Sequence, residues 1–132
     1  MWRRRVHSST SITNVNEYEL AKSPDEFVEA ISKLAKRTED NGHEGVLSYR
    51  FFVNRKDNKA AAIIVYANGE AWIEHHKIAY QWPEMTELQS TVKLIRLTFL
   101  GPRDDAVSSA IENAGLTVPV VWLDEPAAGF DR

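Results

Sequence analysis

His75 and His76 stand side by side in a stretch that also holds Trp72, Tyr80 and Trp82. Imidazole ordinarily titrates near neutrality, so a histidine that lines a cavity could act as a general base or as a hydrogen-bond donor. Neighbouring positions on a helix point about 100° apart. The pair is therefore not a two-ligand metal face, which needs a spacing of three or four, and no metal site is expected. At least one ring is expected to turn away from any cleft. His75 is the expected cavity residue. Trp72, Tyr80 and Trp82 could wall a pocket for a flat apolar ligand, since aromatic rings give large contact area with a few polar handles. Tyr49 and Tyr66 lie on strand-like runs, with hydroxyls that could reach the same cavity. Asn14 and Asn16 are unusual on a strand. An inward-facing asparagine needs partners, so the two suggest a polar cavity or a bound ligand. Ordinary packing is the plainer reading of each of these residues and stays open. Arg50 and Arg96 interrupt apolar strands and could meet an anionic group or a carboxylate of a partner chain. His43, in a loop, carries no expected role.

The positioning elements follow from the pattern. The chain has 132 residues, 43% hydrophobic and 27% charged, an ordinary balance for one domain with its own core. It lacks cysteine, which removes disulfides and thiolate chemistry and suits a reducing cytosol. The formal charge of -3 argues against a nucleic-acid partner. No window approaches the roughly 18 apolar residues of a membrane span. A soluble, cytoplasmic protein is expected. Residues 1–11, with Arg3, Arg4 and Arg5, are expected to be a solvated tail, and residues 12–100 a compact domain.

A first strand is expected over 12–20, with Ile12, Asn14, Asn16, Tyr18 and Leu20 on one face. Ser23-Pro24-Asp25-Glu26 is a capping box with proline at the first helical position. Phe27, Ile31, Leu34, Ala35 and Thr38 continue it as one buried stripe, and Asn41-Gly42 predicts a left-handed stop. Strands are expected over 46–54, with Leu47, Tyr49, Phe51 and Val53 on one face, and over 60–67, joined by a charged turn as a hairpin. The second of these is apolar on both sides and is expected to be central and covered. Asn68 should cap a second helix reaching at least Tyr80, and Pro83 should open a short helical turn. A strand follows over 91–100, with Ile95, Leu97 and Phe99 on one face and Val92, Leu94 and Leu100 on the other. The order is βαββαβ, the ferredoxin-like α+β arrangement with an antiparallel sheet. Residues 101–132 add a helix from Asp104 to Ala114 and an edge strand from Val118 to Leu123, at the edge because Pro119 lacks an N–H. Both helices of the core cover one face of the sheet. The strands are apolar on both sides, so a second copy of the sheet is the simplest cover for the other face.

Glu44-Gly45 followed by Tyr49 and Phe51, and then Tyr66-Ala-Asn-Gly-Glu70-Ala71-Trp-Ile-Glu-His75, resemble the antibiotic-biosynthesis-monooxygenase-like family of the dimeric α/β barrel superfamily. The resemblance covers about residues 12–100. It implies a homodimer forming a dimeric α/β barrel, and a cofactor-independent monooxygenase acting on a small aromatic or polyketide-like substrate. Relatives that degrade haem pair a first-strand asparagine with a tryptophan on the second helix and a histidine nine or ten residues later. Here Glu84 and Met85 follow His75 at that spacing, and Gln81 and Trp82 follow Trp72, so the haem route does not fit.

No nucleotide loop, nucleophile elbow or paired-carboxylate motif is present in the sequence, and nothing in it calls for a flavin or nicotinamide. As an oxygenase, the protein would deprotonate a substrate that itself supplies electrons to dioxygen, and would stabilise the resulting anion. His75 with Asn16 is the expected base-and-donor pair. A non-catalytic ligand-binding member of the same fold is the rival expectation, with a haem-degrading relative third.

Overall fold

The computed structural model describes residues 10–132. The strands are β1 (Ile12–Leu20), β2 (Val46–Asn54), β3 (Lys59–Tyr66), β4 (Val92–Leu100) and β5 (Val120–Leu123). The helices are α1 (Pro24–Asn41), α2 (Gly69–Ala79), α3 (Pro83–Gln89) and α4 (Asp105–Asn113). The strands form one sheet in the order β2-β3-β1-β4-β5. The first four are antiparallel neighbours, and β5 joins the β4 edge in parallel. This is the ferredoxin-like α+β fold, with the short helix α3 inserted before β4 and an extension of one helix, α4, and one strand, β5. The expected N-terminal tail lies, up to residue 9, outside the described residues. Thr10 donates to the Ala67 carbonyl at 2.9 Å.

Local sequence explains most of the frame. Ser23 Oγ accepts from the Glu26 N–H at 3.2 Å, and Glu26 Oε2 accepts from the Ser23 N–H at 3.3 Å. The capping box is thus complete. Phe27, Ala30, Ile31 and Leu34 bury the α1 stripe against the sheet. Each large side chain among them contributes roughly 1.5–3 kcal/mol by leaving water. The end of α1 differs from expectation. Gly42 is extended (φ −74°, ψ 172°) rather than left-handed, and its N–H bonds Thr38 O at 2.9 Å. Glycine is needed there for space, because a Cβ would crowd the Thr38 carbonyl and the His75 ring.

Two bulges correct the expected strand faces. Glu17 pairs with Arg96 but Tyr18 pairs with Leu94, so Ile95 is the extra residue on β4. Val92 and Leu94 therefore share the helix-covered face with Leu97 and Phe99, and Ile95 drops out of the alternation. Val46 pairs with Tyr66 and Ser48 with Val65, so Leu47 is extra on β2. Tyr49, Phe51 and Val53 keep to the inner face, whereas Leu47 is exposed. β3 is internal to the sheet, but its helix-free face is open: Ile63 is 40% exposed and Phe52 beside it 54%. Arg96 meets Glu17 of its own chain at 3.7 Å on that face.

α4 is fastened at both ends. Asp104 Oδ1 caps it by accepting from the Val107 N–H at 3.0 Å. The same carboxylate lies so close to Gly69, at the start of α2, that any side chain there would collide with it. At the far end β5 pairs with β4, and Trp122 stacks on Phe99 with ring centroids 4.3 Å apart. Among the described residues no helix is long and apolar enough to cross a membrane.

Candidate active-site cavity

A cavity of about 450 Å³ lies between the inner face of the sheet and the helices. That volume falls in the range of small-molecule sites. Apolar side chains from every layer contribute to its walls, including Leu34, Leu88, Leu97 and Ile111. Four polar side chains run through this apolar surround as a single chain. Trp72 Nε1–H donates to Asn14 Oδ1 at 2.9 Å, Asn14 Nδ2–H to Asn16 Oδ1 at 2.7 Å, and Asn16 Nδ2–H to the Tyr18 hydroxyl oxygen at 2.8 Å. The three β1 residues line up because strand side chains at i, i+2 and i+4 share a face. Asn14 is 2% exposed, so its partners offset a desolvation cost of about 1–3 kcal/mol.

Both histidines border the cavity, contrary to the expectation that one must turn away. The cavity wraps around α2 far enough to meet two rings that diverge by about 100°. His76 stacks on Trp72, with centroids 4.0 Å apart, and its Nδ1 lies 2.6 Å from the Trp72 carbonyl oxygen. A carbonyl oxygen only accepts, so Nδ1 carries the proton and Nε2 the lone pair. Burial lowers the pKa of His76, partly offset by that hydrogen bond. His75 is 2% exposed, and its Nδ1 has no hydrogen-bond partner. Desolvation, then His76 and His43, push its pKa down to about 4. Both imidazoles are neutral at pH 7.

The other expected site residues divide. Asn14, Asn16, Tyr49, Tyr66 and Trp72 all border the cavity with His75. Tyr80 borders it too, at its rim, 59% exposed and edge-on to His76. Burial pushes the Tyr49 hydroxyl up to about 12 and holds Tyr66 well above its ordinary value, so both stay protonated. Asn16 and His75 share the cavity but are not hydrogen-bonded to each other. Trp82 stands behind His75, edge-on at 5.9 Å and under the Arg37 guanidinium, rather than on the cavity wall. It is held there by the extended backbone that precedes Pro83. His43 accepts from the Gly45 N–H at 2.9 Å and stays in its loop. Arg50 is exposed.

Sequence reasoning passed over Tyr18, His76 and the α4 wall. The alternation Asn14-x-Asn16-x-Tyr18 was the available signal for Tyr18. The wall is made by Ala110, Ile111, Ala114 and Leu116, and nothing in their pattern says which surface they meet. Among the described residues no group of three His, Asp or Glu side chains could hold a metal ion.

No known family model matches the chain, and no curated protein matches it. Solved structures do. MupZ from Pseudomonas fluorescens superposes with a TM-score of 0.66 at 19% identity, over 93% of this chain and 95% of its own. A match of that extent takes in the C-terminal helix and strand as well as residues 12–100. SnoaB from Streptomyces nogalater, a cofactor-independent oxygenase, superposes at 0.56 and 20% identity over 72% of this chain and 95% of its own. A Caulobacter crescentus protein provisionally named an antibiotic biosynthesis monooxygenase gives 0.55 at 16% identity, over 72% and 92%. At these identities the likeness is one of fold, and the chain has the ferredoxin-like fold of the antibiotic-biosynthesis-monooxygenase-like proteins.

Proposed function

We propose that the cavity binds a small flat aromatic or polyketide-like molecule bearing a hydroxyl or carbonyl oxygen, and that the protein acts on it as a cofactor-independent monooxygenase. The observation that carries this reading is the hydrogen-bonded chain from Trp72 to Tyr18 along one side of an otherwise apolar cavity. Apolar walls suit a ring system. A rigid polar line suits one oxygen atom on its edge, and preorganised dipoles stabilise charge that develops there.

In this reading a neutral imidazole takes the acidic proton of the substrate. His75 faces the cavity as the expected base, with Asn16 polarising the substrate oxygen, and His76 offers a second lone pair at Nε2. His75 is a weak base in the empty cavity, and a substrate anion formed beside it would raise its basicity. The anion then gives its electrons to dioxygen. For a ring CH2 group the balance is oxidation to C=O: one oxygen atom becomes the carbonyl oxygen on that carbon, and the other leaves with both hydrogens as water.

The low basicity of His75 also favours a second reading, a protein of the same fold that binds such a ligand without turning it over. His75→Ala and His76→Ala separate the two. Turnover of a tricyclic aromatic ketone with a ring CH2 by the wild type that either variant abolishes, with fold and affinity kept, supports the enzyme. Tight binding with no turnover by any version supports the binder.

We further propose that the chain pairs with a copy of itself through the open sheet face, where Phe52, Ile63, Leu100 and Leu123 are exposed. Covering them would remove an apolar patch that a single chain leaves in water.

A further inference from the structure

We propose that Tyr18 is the hydrogen-bond donor to the ligand's oxygen anion in the cavity, with its O–H aimed by a polarity that begins at Trp72. The proposal rests on the reading of the cavity as a site for an oxygen-bearing aromatic molecule.

The direction of the chain is fixed at one end. An indole N–H can only donate, so Asn14 must turn its carbonyl oxygen to Trp72. Its amide nitrogen then faces Asn16, which must answer with its own carbonyl oxygen. Asn16 is left with its nitrogen toward Tyr18, so the tyrosine oxygen accepts. For Tyr18 to donate back to Asn16, that amide would have to flip, and two NH2 groups would then face each other at the Asn14–Asn16 contact. The Tyr18 proton therefore points elsewhere. Among the described residues no side chain or carbonyl accepts it, although the residue is buried and borders the cavity.

The surroundings suit a donor. Tyr18 stacks on Phe51, with centroids 6.3 Å apart, which fixes the ring plane. Burial holds the hydroxyl above its ordinary pKa, so it keeps its proton. An O–H whose oxygen already accepts from an amide is polarised toward donation, because hydrogen bonds in a chain strengthen one another. A neutral ether oxygen would use this donor weakly and an aryl oxide strongly.

The test uses an acidic naphthol that ionises near neutral pH, and its methyl ether, titrated into the wild type, Tyr18→Phe and Trp72→Phe. The quantity read is the ratio of the two dissociation constants, which cancels most changes in cavity shape. The wild type should prefer the naphtholate, and Tyr18→Phe should lose roughly ten- to a hundredfold of that preference, the range for a hydrogen bond to a charged group. Trp72→Phe should lose a similar factor with Tyr18 still present, because Asn14 and Asn16 are then free to flip and take the Tyr18 proton. An unchanged ratio in Tyr18→Phe overturns the assignment alone. Loss in Tyr18→Phe with full preference in Trp72→Phe overturns the fixed polarity, and the proposal with it. Failure of the naphthol to bind the wild type at all overturns both this assignment and the reading of the cavity.

Discussion

The indole N–H of Trp72 reaches Asn14 Oδ1 at 2.9 Å across 58 positions of sequence, tying α2 to the central strand. This bond anchors the polar chain and fixes which way each amide in it faces. Asn14→Leu removes the acceptor and leaves the indole N–H buried and unpaired. The expected cost is about 1–3 kcal/mol of stability, read as a lower midpoint in urea unfolding. Asn14→Asp, which keeps an acceptor, should recover part of the bond to Trp72.

The elements that carry the two partners are legible in sequence, but the bond between them is not. The period-two run on β1 put Ile12, Asn14, Asn16 and Tyr18 on one face, and the capping signals at Ser23 and Asn68 fixed the starts of α1 and α2. The bulges were not legible. Ile95 and Leu47 are apolar and fit an unbroken alternation, and only the partner strand decides that they are skipped. His76 was passed over because adjacent helix positions diverge, a rule that fails when the cavity curves around the helix. Trp82 was expected in the wall from its type and nearness, but the turn into Pro83 set its direction.

Acid should unfold the protein through His75. Its folded pKa is about 4, below the ordinary value of 6.5. Between those values the unfolded chain holds a proton that the folded chain lacks, so stability falls as pH drops through this window. Above it His75 contributes no slope. In His75→Gln the fall in stability between pH 6.5 and 4 should be shallower, with His76, also lowered, supplying part of what remains. Urea midpoints across that range check it.

Docking of α4 should depend on Asp104, which caps Val107 and abuts Gly69. Asp104→Ala should cost about 1 kcal/mol, the usual effect of a lost N-cap. Amide exchange should quicken in residues 105–113 before it does in β1. Equal acceleration in both would mean that the helix is not separately held.

The open sheet face gives a prediction about assembly. Phe52→Asp places a charge on the most exposed large residue of that face within β2 after the bulge. Sedimentation should show a dimer for the wild type and a monomer for the variant, with the circular dichroism of the fold kept. A wild-type monomer would contradict pairing through this face.

The proposed oxygenation is put to the test by incubating the purified protein with anthrone, a tricyclic aromatic ketone with a ring CH2, under ¹⁸O-labelled dioxygen, with no added cofactor. The prediction is stoichiometric dioxygen uptake above the uncatalysed rate, one labelled atom in the new carbonyl, and loss of the acceleration in a variant lacking both His75 and His76. Tight binding of such compounds with dioxygen uptake no faster than in buffer would contradict it.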